Sequence, residues 1–115
     1  MDIEWIRKYC LSLPHSTETV QWGNDLVFKI GGKMYAVVAL EPSQHWMSFK
    51  CSPEKFTELI ERPGISPAPY LARAHWVALA DGAAMPRAEV KTLVRTAYDM
   101  VLSKLPKKAQ AALRA

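Results

Sequence analysis

From Thr17 to Cys51 the apolar residues recur at every second position, and this constrains the fold more than any other feature of the chain. Residues 17–22, 26–30, 33–40 and 46–51 form short runs rich in β-branched or aromatic side chains, separated by "GND", "GG" and "EPSQH". A period of two with glycine-bearing breaks is the signature of strands joined by tight turns, so the segment reads as an antiparallel β-meander. In the third run Met34, Ala36, Val38 and Leu40 share one face and Tyr35, Val37 and Ala39 the other. Both faces are apolar, which predicts an interior strand. In the fourth, Met47, Phe49 and Cys51 oppose Trp46, Ser48 and Lys50, the alternation of a half-exposed strand.

Helical spacing flanks the meander. Trp5, Ile6, Tyr9, Cys10 and Leu13 fall three or four apart, with Asp2 as the expected cap and Pro14 as the stop. Ser52 followed by Pro53 predicts a second helix start, with Phe56, Leu59 and Ile60 facing the core until "RPG" ends it. After a proline-rich connection, "HWVALA" reads as a fifth strand, with Trp76 buried and His75 on the opposite side. Tyr70 and Leu71 are expected to seal the sheet edge. From Val90 through Leu93, Val94, Ala97, Tyr98, Val101, Leu102 and Leu105 the three-and-four spacing never fails, predicting a long helix capped at Met85. "PKKAQAALRA" adds a short terminal helix. The fold class expected is α+β: residues 1–115 as a single domain, an antiparallel meander packed against an N-terminal helix and a long C-terminal helix. A chain of 115 residues can bury roughly two-thirds of its unfolded surface in such a core.

Several function classes find no support. Charges interrupt "MDIEWIRKYC", so it does not read as a signal peptide, and the longest uncharged apolar run, "MYAVVAL", is far shorter than the ~20 residues that span a bilayer. A cytoplasmic protein with no membrane partner is expected, with Cys10 and Cys51 kept as buried thiols. His15, His45 and His75 lack metal-ligand spacing, and no phosphate loop, dinucleotide fingerprint or nucleophile motif occurs. The chain is therefore read as non-enzymatic, without cofactor or metal, and as a monomer or weak homodimer.

The formal net charge of +4 favours anionic partners. Lys29 and Lys33 flank the "GG" turn, Lys50 ends the neighbouring strand, and Arg87, Lys91 and Arg95 recur every four residues along the long helix. Such cations can track phosphates, or they can simply form the solvated side of an amphipathic helix. Arg73 and His75, within "PAPYLARAHWVAL", are open to two readings: bonding of loop carbonyls or a helix end, and contact with a ligand. Lys104, Lys107 and Lys108, near the terminus, are placed outside the candidate site. A second reading is an interaction module for a protein or small ligand, using Trp46, Tyr35 and the loop at 67–75.

"VQWGNDLVFKIGGKMYAVVAL", "FKCSPEKFTELIERPGISPAPYLARAHWVAL" and "LVRTAYDMVLSKLPKK" together resemble the MmcQ/YjbR family of small bacterial proteins over nearly the whole chain. The resemblance implies a fold like that of bacterial frataxin and a DNA-binding role through a double-wing arrangement, with DNA as the partner. By this reading Lys29, Lys33, Lys50, Arg73, Arg87, Lys91 and Arg95 would meet the phosphates. Where the family tends to have Ser before the tyrosine of its long helix, this chain has Ala97. The first helix lacks the acidic surface on which frataxins bind iron.

Overall fold

The computed structural model describes residues 3–41 and 43–114. The meander runs through β1 (Thr17–Gln21), β2 (Asp25–Ile30), β3 (Lys33–Ala39) and β4 (Met47–Lys50). Each pairs antiparallel with the next. Two later strands, β5 (Ile65–Pro67) and β6 (Trp76–Leu79), complete a six-stranded sheet of order β1-β2-β3-β4-β6-β5. Gly31 and Gly32 close the β2–β3 hairpin with φ of 60° and 80°, the paired positive values that a two-residue turn matched to strand twist requires. A Cβ at position 31 would stand 2.5 Å from Leu105 Cδ1, so this turn also seats against the chain that follows the long helix.

Helices α1 (Glu4–Ser12), α2 (Pro53–Leu59), α3 (Arg87–Ser103) and α4 (Lys107–Arg114) all contribute to one core on one side of the sheet. Ile6 and Cys10 of α1, Leu59 of α2, and Val90, Leu93, Val94, Ala97, Tyr98 and Val101 of α3 meet Leu26, Phe28, Ile30, Val38, Met47, Phe49, Val77 and Leu79 there. Leu102, predicted as buried, is half-buried beside this core. The Ser52 side chain accepts a hydrogen bond from the Lys55 amide, the predicted start of α2. On the opposite face Ala68, Trp76 and Ala78 form a thinner cluster with Met34, Val37 and Leu71.

The strict alternation expected of β3 is corrected. Phe28 pairs with Ala36 but its neighbour Lys29 pairs with Met34, so Tyr35 is an extra, bulged residue. The bulge turns Tyr35 to the helix side with Ala36 and Val38, and turns Met34 to the open face with Val37. "HWVALA" supplies the sixth strand rather than the fifth, because the proline-rich connection holds β5. Pro67 lacks an amide hydrogen, which an edge strand tolerates. Tyr70, expected to seal that edge, is instead fully exposed at φ 65°. Pro86 rather than Met85 occupies the capping position of α3, and Met85 is buried. The proposed cap of α1, Asp2, lies outside the described residues.

Two ion pairs tie elements together. Arg7 of α1 grips Glu18 of β1 through Nε and Nη2, at 2.9 and 2.6 Å. Arg62, just after α2, grips Glu89 in the first turn of α3 at 2.7 and 2.8 Å. These hydrogen bonds from Arg62 hold the Glu89 carboxyl below its ordinary pKa, and a carboxylate there also complements the helix dipole.

Replacing Leu93 with Ala is expected to cost about 2–5 kcal/mol in a denaturant titration, since the side chain is buried between α3 and the sheet. A loss within experimental error of zero would show that the helix presents a different face. Because the Glu89 pKa is depressed in the folded protein, its stabilising effect is present above the unfolded carboxylate pKa and is lost as pH falls through the folded value. The stability gap between wild type and Glu89→Gln should therefore be widest near neutral pH and close below roughly pH 4. A gap independent of pH would remove the ion pair as its cause.

Candidate nucleic-acid interface

The seven cations singled out in the sequence separate into two groups, one beyond the C-terminal end of α3 and one along its exposed side. At the C-terminal end of α3, Gly31 packs against Leu105, which brings the hairpin flanked by Lys29 and Lys33 beside the junction of α3 and α4. Lys50, at the end of β4, lies within electrostatic reach of Lys104. Its ammonium donates to the Ala74 carbonyl at 2.9 Å, next to Arg73 in a single 3₁₀ turn spanning Ala72–Ala74. Burial first, and then Lys104, holds the Lys50 pKa below that of a free lysine. Lys107 and Lys108 open α4 two residues after Leu105. Among the described residues, none of Lys29, Lys33, Lys50, Arg73, Lys104, Lys107 or Lys108 forms an ion pair with a carboxylate. This end of the molecule is a concentration of unneutralised positive charge.

Arg87, Lys91 and Arg95 lie along the exposed side of α3 and are held against aromatic rings. The Arg87 guanidinium stands 4.9 Å from the centroid of Trp5, Lys91 Nζ 5.6 Å from that of Tyr9, and the Arg95 guanidinium 5.6 Å from that of Tyr98. Arg95 also bonds Asp99 at 3.3 Å. The stripe is real, but its cations are engaged with the α1–α3 surface. With a rise of about 1.5 Å per residue, α3 carries Arg87 roughly 25 Å from Lys104.

Of the two residues left open in the connection before β6, His75 has a structural task. His75 ends the 3₁₀ turn with a left-handed backbone, φ 61°, its ring edge against Phe56 at 5.6 Å. Its carbonyl accepts from the Cys51 amide at 2.9 Å and from Cys51 Sγ at 3.3 Å. Arg73 makes no such bond and is exposed. Tyr35 and Trp46, the aromatic residues of the interaction reading, are both buried, Tyr35 against Tyr98 and Trp46 against Trp5. Tyr35 is not available as a docking side chain, and Trp46 keeps only 3% of its surface exposed. Burial pushes the Cys10 thiol up to about 12 and the Cys51 thiol up to about 11, so both stay protonated and poorly nucleophilic near neutral pH. Among the described residues, no group of three or more His, Cys, Asp or Glu side chains is placed to hold a metal ion, and no helix is long and apolar enough to cross a membrane.

Lys104, Lys107 and Lys108, set aside in the sequence as merely terminal, thus stand at the basic end. The signal that could have found them is the run "SKLPKK", three lysines within five residues and no carboxylate among them. What its one-dimensional position could not show is that Leu105 returns the run to the β2–β3 hairpin.

Comparison with known proteins agrees with this architecture. An uncharacterised Escherichia coli O157:H7 protein, YbdF, is 25% identical over 115 residues, covering 96% of this chain and 93% of its own. A crystal structure of a Deinococcus radiodurans protein of the DUF419 domain family superposes with a TM-score of 0.85 at 31% identity, over 96% of this chain and 86% of that one. A Pseudomonas syringae protein shares the fold, with a TM-score of 0.73 at 19% identity over 88% of this chain and 99% of that one. The YjbR family model matches residues 11–100, from the last turn of α1 to within α3. With the whole sheet and most of the long helix inside that match, the chain belongs to the YjbR family.

Proposed function

We propose that the protein binds DNA through the phosphate backbone, without reading base sequence and without a catalytic step. The observation that carries this reading is the convergence of Lys29, Lys33, Lys50 and Arg73 with Lys104, Lys107 and Lys108 at one end of the sheet, with no ion-pairing carboxylate among the described residues. Like charges held this close repel one another, and an anionic polymer relieves that repulsion while releasing its own counterions. Lysine ammoniums on a hairpin and at helix ends are point charges suited to phosphate oxygens rather than to the paired edges of bases. Arg87, Lys91 and Arg95 add to the long-range field. Engaged with Trp5, Tyr9, Tyr98 and Asp99, they are the weaker phosphate contacts.

If three to five phosphates are neutralised, the logarithm of the binding constant for duplex DNA should fall against the logarithm of salt with a slope of about −3 to −4.5, equally for unrelated sequences. Anisotropy titrations at several salt concentrations measure this directly. A flat salt response, or no binding at low salt, would sink the reading.

The triple variant of Lys33, Lys104 and Lys107 to Glu should lose far more affinity than Arg87, Lys91 and Arg95 to Glu, although both change net charge equally. All six side chains are exposed, so circular dichroism should show both variants folded. Equal losses would assign any binding to bulk charge rather than to the basic end.

A further inference from the structure

The open face of the sheet carries a cleft of about 600 Å³ that extends from Met34 and the loop after β5 to the β1–β2 turn and the segment before β4. Met34, Val37 and Ala39 of β3 form its floor together with Ala68 and Leu71. Its volume falls within the roughly 300–1,000 Å³ typical of small-molecule sites. Trp22 comes from the β1–β2 turn at one edge of the sheet, and Tyr70 from the loop after β5 at the other. Both rings are exposed on left-handed backbone, Trp22 at φ 52° and Tyr70 at φ 65°. A bulky residue at positive φ is an uncommon and strained choice for a surface loop, and an exposed ring gains nothing from burial in return. Here two such residues from opposite edges wall one apolar trough.

The charge of the cleft restricts what it can hold. Among the described residues that line it, Asp25 is the one carboxylate, and none is a lysine or arginine. Two ring nitrogens of lining residues, His45 Nδ1 and Trp46 Nε1, are shielded from solvent and have no hydrogen-bond partner among the described residues. A phosphate-bearing ligand would meet a carboxylate and no cation. A flat, apolar, neutral or cationic molecule would meet stacking surfaces, an apolar floor and a counter-ion.

We propose that this cleft is a binding site for a planar aromatic or heterocyclic small molecule that is neutral or cationic, lying on the apolar floor that Trp22 and Tyr70 border, with Asp25 as its counter-ion.

Titration of the purified, nucleic-acid-free protein with proflavine, a planar cationic dye, followed by dye fluorescence, tests the site. Saturable one-to-one binding is expected, and the anionic anilinonaphthalene sulfonate should bind more weakly. Trp22→Ala and Tyr70→Ala, both at exposed positions, should each weaken proflavine at least about fivefold, in line with the loss of one stacking partner. Asp25→Asn should weaken proflavine while leaving uncharged acridone unaffected. The Lys33, Lys104, Lys107 triple variant should bind the dye as wild type does, which separates this site from the DNA reading. The proposal is overturned by an absence of saturation up to about 1 mM dye, by wild-type affinity in both alanine variants, or by tighter binding of the sulfonate. Sedimentation showing a dimer that Trp22→Ala dissociates would likewise overturn it, assigning the face to a second copy of the chain.

Discussion

One extra residue in β3 organises both faces of the sheet. Tyr35 occupies the bulge opposite the Phe28–Lys29 step, and its ring lies wholly within the core. There its hydroxyl bonds Ser16 and donates to the Cys10 carbonyl at 3.3 Å, while Tyr98 of α3 meets its ring edge-on at 5.6 Å. Tyr98 in turn donates to the Pro14 carbonyl at 2.6 Å. The end of α1, the middle of α3 and the centre of the sheet are thus joined through two phenols whose polar tips are satisfied, as buried polar groups must be. Burial raises the pKa of both phenols, and each stays protonated as a donor.

The same bulge has a consequence on the other side. One extra residue reverses the face taken by the side chains before it relative to those after it, so Met34 turns away from the helices and joins Val37 and Ala39. Without it Met34 would enter the core and Tyr35 would stand on the open face. The apolar floor of the cleft and the tyrosine of the core are therefore two results of one register shift.

Charge is distributed along the molecule rather than around it. Arg7–Glu18 and Arg62–Glu89 lock α1 to β1 and the end of α2 to α3, and Arg87, Lys91 and Arg95 lie over aromatic rings where α1 meets α3. Most of the described cations without such partners gather around the β2–β3 hairpin and the α3–α4 junction, while the described residues that line the cleft include one carboxylate. A partially exposed ion pair contributes little to stability in water. Its larger effect here is to remove those cations from the pool available to an anionic partner.

Local pattern alone determined much of this protein. The period-two runs, the glycine pair at 31 and 32, the Ser52–Pro53 helix start and the unbroken spacing from Val90 to Leu105 each depend on residues close together in the chain, whose preferences are set by backbone sterics and burial. The six buried positions of α3 were legible for that reason. Tertiary structure alone decided the remainder: the bulge at Tyr35, the three-residue strand β5, the burial of Trp46, the exposure of Tyr70 and the company kept by Lys104. Each of these depends on a partner far away in sequence. Strand register is set by what the opposite strand and the helices will accept, and a lysine belongs to a basic cluster only once Leu105 has returned its segment to Gly31. A sequence states what each residue prefers, but only the closed fold states which neighbour it meets.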